Sequence, residues 1–123
     1  LLNLGANILA VGCFGNTVAI YLARRNNFEA VIKLAIRNPD VLKQHDDDDN
    51  VAVWLGCHNE NNVFTLAEKF PFVKEQPEII ADAIAEKNTP YIKKLLDAGF
   101  TKPENIENLM KLFNVRWRDI ALS

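Results

Sequence analysis

A six-residue apolar motif occurs twice in this chain and restricts the folds open to it. The segment Val18-Ala19-Ile20-Tyr21-Leu22-Ala23 returns 33 positions later as Val51-Ala52-Val53-Trp54-Leu55-Gly56. Val, Ala and Leu recur unchanged, and the fourth position stays aromatic. A repeat of this length is typical of solenoids, in which helical hairpins stack and bury one face against the next. The sequence therefore predicts an all-α fold of stacked helix-turn-helix hairpins.

Apolar periodicity and helix-breaking residues predict where the helices lie. The first hairpin is expected over Thr17–Arg25 and Phe28–Arg37, with Pro39 stopping the second helix. The next hairpin is expected over Val51–Asn59 and Asn62–Lys69, with Asn62 as the N-cap. The later predicted elements are a helix opened by Pro77, the helix Tyr91–Ala98 capped by Thr89, a helix opened by the capping box Thr101–Glu104, and a last helix over 115–122.

The same patterns predict which side chains are buried. The stripe of the second helix is expected to comprise Val31, Ile32, Ala35 and Ile36. Small and apolar residues of the repeated motif predict the seam between the first two hairpins, namely Ala19, Leu22, Ala23, Ala52, Leu55 and Gly56. Ile84-Ala85 is aligned with Leu22-Ala23 as a third, shifted copy of the motif.

Part of the repeat resembles a known family. Gly15-Asn16-Thr17, followed by Ala19 and Leu22-Ala23, resembles the opening of an ankyrin repeat, usually written G-x-T-P-L-H-x-A-A. Val18 stands in place of the family's Pro, and Ile20 in place of its His. Leu95-Leu96-Asp97-Ala98-Gly99 and Leu1–Asn7 are similar to the L-L-x-x-G ending of a repeat.

The resemblance implies an ankyrin-repeat solenoid and a division of the chain. Repeats are expected at 15–48, 49–76 and 77–100, and capping helices at 101–123. Residues 1–14 are interpreted as the end of a repeat that begins before Leu1, followed by a loop.

The resemblance also implies a partner-binding surface. In ankyrin arrays the first helices face a concave groove, and here Tyr21, Arg24 and Arg25 align with Trp54, Cys57 and His58. The third copy contributes Ala83, Glu86 and Lys87. Aromatic residues one repeat apart, beside Arg and His, have the composition of a protein-binding hot spot. The alternative is that Tyr21 and Trp54 only pack on each other.

An acidic run, Asp46, Asp47, Asp48 and Asp49, stands where the resemblance implies a loop tip beside this groove. Mutual repulsion requires that it be solvated. Two interpretations remain open. The run either only keeps the loop in water, or it forms an anionic rim that accelerates encounter with a basic partner.

Composition excludes several classes of function. A net charge of −2 over 123 residues argues against nucleic-acid or anionic-membrane binding by the chain as a whole. No apolar run approaches the roughly 20 residues of a membrane span. Two cysteines, Cys13 and Cys57, argue against a disulfide framework and indicate the cytoplasm. The style of the sequence resembles ankyrin proteins that intracellular bacteria deliver into host cytoplasm, and the fragment is expected to be monomeric.

Catalytic and metal-binding motifs are weak. Cys57 and His58 are adjacent on a helix and diverge by about 100°, which is unsuited to proton transfer. An EF-hand loop starting at Asp46 would lack its central Gly and final Glu. Arg116-Trp117-Arg118 mixes charge with stacking surface, but Asp119 follows, and capping is the favoured interpretation. We therefore expect no enzyme activity, cofactor or metal.

Two functions are carried forward from the sequence. In the first, the chain is a protein-protein interaction module that binds another protein through the inner helices and loops. In the second, it is a structural segment that packs against another domain of a longer parent chain.

Overall fold

The computed structural model describes residues 18–44 and 49–123, and this part of the chain is all-α. The chain divides into two compact units, Leu1–Val73 and Lys74–Ser123. The predictions for Leu1–Asn7, for the Gly15-Asn16-Thr17 motif, for Cys13 and for Asp46, Asp47 and Asp48 lie outside the described residues.

The described residues of the first unit form two helical hairpins. Their α-helices are α1 (Val18–Arg24), α2 (Phe28–Arg37), α3 (Val51–His58) and α4 (Glu60–Lys69). Helix α1 packs on α2, α3 packs on α4, and the hairpins meet through α1 and α3. A 3-10 segment follows each hairpin, Pro39–Lys43 and Pro71–Glu75, where a proline at the first turn prevents continuation of the α-helix.

Four of the six residues predicted for the seam between the hairpins are buried. Ala19 and Ala23 of α1 are completely buried, and so are Ala52 and Leu55 of α3. Leu22 and Gly56, also predicted for the seam, are only half-buried. Alanine at these positions allows the two helices to approach closely without displacing neighbouring side chains.

Asparagine begins most of these helices. Oδ1 of Asn27 accepts a hydrogen bond from the Ala30 amide at 3.3 Å, and Oδ1 of Asn50 accepts one from the Val53 amide at 2.8 Å. Asn59 caps α4 in the same way through the Asn61 amide at 3.0 Å. Each bond satisfies a backbone donor that the helix itself cannot pair.

Two predictions in this unit are wrong in detail. Asn62 is not the N-cap of α4, because Asn59 takes that role and α4 begins at Glu60. Asn62 is buried instead, and its Nδ2 donates to the Leu55 carbonyl at 3.2 Å. The buried stripe of α2 contains Leu34, whereas the predicted Ile36 is 67% exposed. Since α2 carries apolar residues on more than one side, its neighbours decide which side is covered.

The second unit contains four helices, α5 (Glu78–Ala85), α6 (Thr89–Asp97), α7 (Ile106–Leu112) and α8 (Trp117–Ala121). Helices α5 and α6 form a hairpin, α7 packs on α5, and α8 packs on α6. Ile106, the first residue of α7, and Met110, one turn later, are buried.

Pro77 opens α5 as predicted, whereas the starts of α6 and α7 differ from the predicted ones. Asn88, rather than Thr89, caps α6, and its Oδ1 accepts a hydrogen bond from the Tyr91 amide at 3.3 Å. The predicted capping box at Thr101 does not open α7. The Thr101 amide donates to the Lys74 carbonyl at 2.8 Å, and the chain continues to Ile106 before the helix begins.

Four helices end in a residue with left-handed backbone conformation. These residues are Asn26, Lys87, Gly99 and Asn114, with φ between 57° and 86°. In each case the next amide reaches back five residues to a helix carbonyl, which is the Schellman arrangement. At Gly99 the conformation carries no steric cost, because glycine has no Cβ.

Candidate functional site

The residues predicted to bind a partner lie on α1, at its end, and on α3. Tyr21 is 52% exposed, and Arg24 and Arg25 are also exposed. Trp54 is half-buried on α3, and Cys57 and His58 are exposed near the end of that helix. We call the set Tyr21, Arg24, Arg25, Trp54 and His58 the inner-helix face.

Two cation–π contacts lie on this face, and one of them crosses between the hairpins. The guanidinium carbon of Arg24 lies 5.1 Å from the centre of the Trp54 ring, which belongs to the neighbouring hairpin. The guanidinium carbon of Arg25 lies 4.5 Å from the centre of the Tyr21 ring. Each contact is worth about 0.5–1 kcal/mol at an exposed site. The rings are therefore held by arginine side chains, a role that the sequence did not indicate.

His58 has a structural role at the end of α1. Its Nε2 lies 2.9 Å from the carbonyl oxygen of Arg24, and since a carbonyl only accepts, Nε2 carries the proton. The other three carbonyls at this helix end accept from backbone amides, namely those of Arg25, Asn26 and Asn27. His58 thus pairs the last of the four carbonyls that a helix end leaves open.

A second polar contact between the two hairpins involves Asn62 and Asn26. Nδ2 of the buried Asn62 donates to Oδ1 of Asn26 at 3.3 Å, in addition to its bond to the Leu55 carbonyl. Asn26 is the left-handed residue after α1. The end of α1 is therefore fixed to the second hairpin by His58 and by Asn62, and this holds Arg24 in position beside Trp54.

The other candidates from the sequence do not join this face. Asp49 is half-buried, and it is the only residue of the acidic run within the described part. In the second unit Nε1 of Trp117 donates to the Glu107 carboxylate at 3.1 Å, and Lys102 Nζ lies 5.8 Å from the Trp117 ring. These contacts of Trp117 are thus with residues of its own unit.

Residues 18–44 and 49–123 contain no group of three or more His, Cys, Asp and Glu side chains arranged to hold a metal ion. None of the helices there combines the length and the apolar character that crossing a membrane requires.

No family model, curated protein or solved structure matches this chain. Its function is therefore argued from its own residues.

Proposed function

We propose that this chain is a protein-protein interaction module of the ankyrin-repeat type, which binds its partner through the inner-helix face. The observation that carries the proposal is the contact of Arg24 with Trp54 across two hairpins. This contact places Trp54 of the second hairpin against an exposed arginine of the first. Tyr, Trp and Arg are the residues most enriched where binding energy concentrates in protein interfaces.

The stacked hairpins also support the ankyrin-type assignment. Helices α1 and α3 begin 33 residues apart, at Val18 and Val51, and they pack directly on each other. The α1–α2 and α3–α4 hairpins are each followed by a 3-10 segment that opens with proline. A surface built on packed helices is rigid, which reduces the entropy lost when a partner binds.

The second candidate function is that of a segment packed against another domain of a longer chain. Ile36, 67% exposed on α2, is the residue at which substitution tests it. A single exposed apolar side chain is ordinary on a protein surface and does not by itself mark an interface. The two candidates use different helices, so substitutions separate them.

The test is selection of a random peptide display library on the immobilised protein. Peptides that bind the parent but not a Tyr21→Ala, Trp54→Ala double variant are expected, and Ile36→Ala should not reduce their binding. Circular dichroism establishes that both variants are folded. Peptides that depend on Ile36 would favour the second candidate, and a selection without any ring-dependent peptide would overturn the proposed function.

A further inference from the structure

The inner-helix face carries positive charge that no described residue neutralises. Helices α1 and α3 contain no Asp or Glu, while Arg24 and Arg25 are consecutive at the end of α1. The salt bridge between Lys43 Nζ and an Asp40 carboxylate oxygen, at 3.5 Å, does not involve these arginines. The contacts of both guanidinium groups are with rings, which attract the cation without neutralising it.

The geometry leaves these arginines able to bind carboxylates. A cation–π contact uses the charge of the guanidinium group and consumes none of its five N–H donors. Trp54 and Tyr21 restrict the motion of the two side chains, so less entropy is lost when the donors pair with an anion. Arginine pairs with carboxylate through two parallel hydrogen bonds, which gives direction as well as attraction.

We propose that the partner of the inner-helix face is an acidic polypeptide segment, whose carboxylates pair with Arg24 and Arg25 while neighbouring side chains cover the Tyr21 and Trp54 rings. The proposal rests on the proposed function and adds the chemical class of the partner. Charge complementarity carries it. A nucleic acid fits less well, because its binding relies on a broad cationic field and this chain has a net charge of −2.

The probe is a fluorescein-labelled peptide of eight glutamates, called octaglutamate. Labelled octalysine and a labelled eight-nucleotide thymidine strand are measured in the same way, as a basic peptide and a nucleic acid for comparison. Fluorescence anisotropy should detect saturable binding of octaglutamate at low salt. Screening at about 0.15 M salt acts over about 8 Å and should weaken that binding. Arg24→Glu with Arg25→Glu should weaken it at least roughly tenfold, the equivalent of two exposed ion pairs.

Two further variants make the result specific. Arg37→Ala removes an exposed arginine from α2 and is the matched control, so it should bind octaglutamate like the parent. Arg24→Lys with Arg25→Lys retains the charge but loses the paired donors, so it should bind with intermediate affinity. The Glu double variant should gain affinity for octalysine.

Octaglutamate that does not bind, or that binds the Glu double variant equally well, would overturn the proposal. Arginine-dependent binding of the thymidine strand alone would replace it with a nucleic-acid partner. The display selection separates this failure from failure of the proposed function. Ring-dependent peptides without acidic residues would keep the interaction module and discard the acidic partner, whereas the absence of ring-dependent peptides would remove both.

Discussion

The hairpins α1–α2 and α5–α6 make the same backbone turn with different residues. After α1, the Asn26 amide bonds to the Ala23 carbonyl at 3.0 Å, and the Asn27 amide to the Leu22 carbonyl at 2.9 Å. After α5, the corresponding bonds run from Lys87 to Ile84 and from Asn88 to Ala83, at 2.9 and 3.1 Å. In both hairpins a left-handed residue is followed at once by an asparagine that caps the next helix.

The two hairpins share a backbone turn but carry different side chains at equivalent positions on their outer surfaces. When the hydrogen bonds of the two turns are aligned, Tyr21 corresponds to Asp82 and Arg25 corresponds to Glu86. In α1 this pair is a cation over a ring. In α5 it is two carboxylates one helical turn apart, where burial raises the pKa of Asp82 and the Glu86 carboxylate raises it further. The same positions thus attract in one hairpin and repel in the other.

The interior side of the turn differs as well. Ala23 and Ile84 occupy equivalent positions, and both are completely buried. In the first unit a small side chain there permits α1 to pack closely on α3. In the second unit a large side chain fills the corresponding space. The comparison predicts that the two residues cannot be exchanged.

The largest expected effect comes from that exchange. Ile84→Ala should leave a cavity and lower the free energy of unfolding by about 2–5 kcal/mol. Ala23→Ile, like the equally bulky Ala23→Leu, should overpack the α1–α3 seam and lower it by about 1–3 kcal/mol. Urea unfolding followed by circular dichroism measures both. If Ala23→Ile leaves the free energy of unfolding unchanged, the α1–α3 seam accommodates a large side chain. The structural equivalence of positions 23 and 84 would then not predict which residue each requires.

Smaller losses of stability, equal to each other, are expected when the N-cap asparagines of α2 and α6 are replaced. Asn27→Ala and Asn88→Ala each remove a 3.3 Å bond to a helix amide, and each should cost about 1 kcal/mol of stability. Asn61→Ala and Asn108→Ala remove exposed asparagines within helices and serve as controls. Clearly unequal losses at Asn27 and Asn88 would show that the matching hydrogen bonds do not have matching energies.

The smallest effect is expected from Asp82→Asn, and it depends on pH. The pKa of Asp82 in the folded protein lies above the unfolded value of 3.8, so the folded state retains a proton that the unfolded state releases. The contribution of Asp82 to stability therefore falls as the pH rises from 3.8 through the pKa of the folded state. At neutral pH, removal of the repulsion between Asp82 and Glu86 should raise stability by about 0.2–0.5 kcal/mol.

Thermal melts at several pH values measure this change. The gain should disappear at pH values below 3.8, where the carboxyl is protonated in both states. Glu104→Gln, which removes an exposed carboxylate between helices, should show no such dependence. A gain for Asp82→Asn that persists in acid would indicate altered packing rather than removed charge.

Much of the candidate site could be predicted from the sequence. The motif repeated at 33 residues predicted that Tyr21 and Trp54 lie on neighbouring helices with arginines beside them. It did not indicate that Arg24 extends to Trp54, or that His58 binds the Arg24 carbonyl. Such contacts depend on the distance between hairpins, which side-chain packing sets and local periodicity does not encode.

The third copy of the motif also shows which information the sequence lacks. Apolar residues alone aligned Ile84 with Leu22, whereas the hydrogen bonds of the two turns align Ile84 with Ala23. A shift of one residue rotates a helix by about 100° and changes which side chains face outward. Apolar residues at both neighbouring positions made the two alignments equivalent in sequence.

The amino-acid sequence by itself determined where most helices lie, because capping asparagines, prolines and apolar spacing act within a few residues of the chain. It also determined the small residues of the α1–α3 seam. Only the tertiary structure decided that Leu34 rather than Ile36 is buried, that Asn62 is an internal hydrogen-bond donor, and that His58 completes α1. Those outcomes depend on partners some 30 residues away or on an adjoining helix, and long-range packing selects among positions that local chemistry leaves equal.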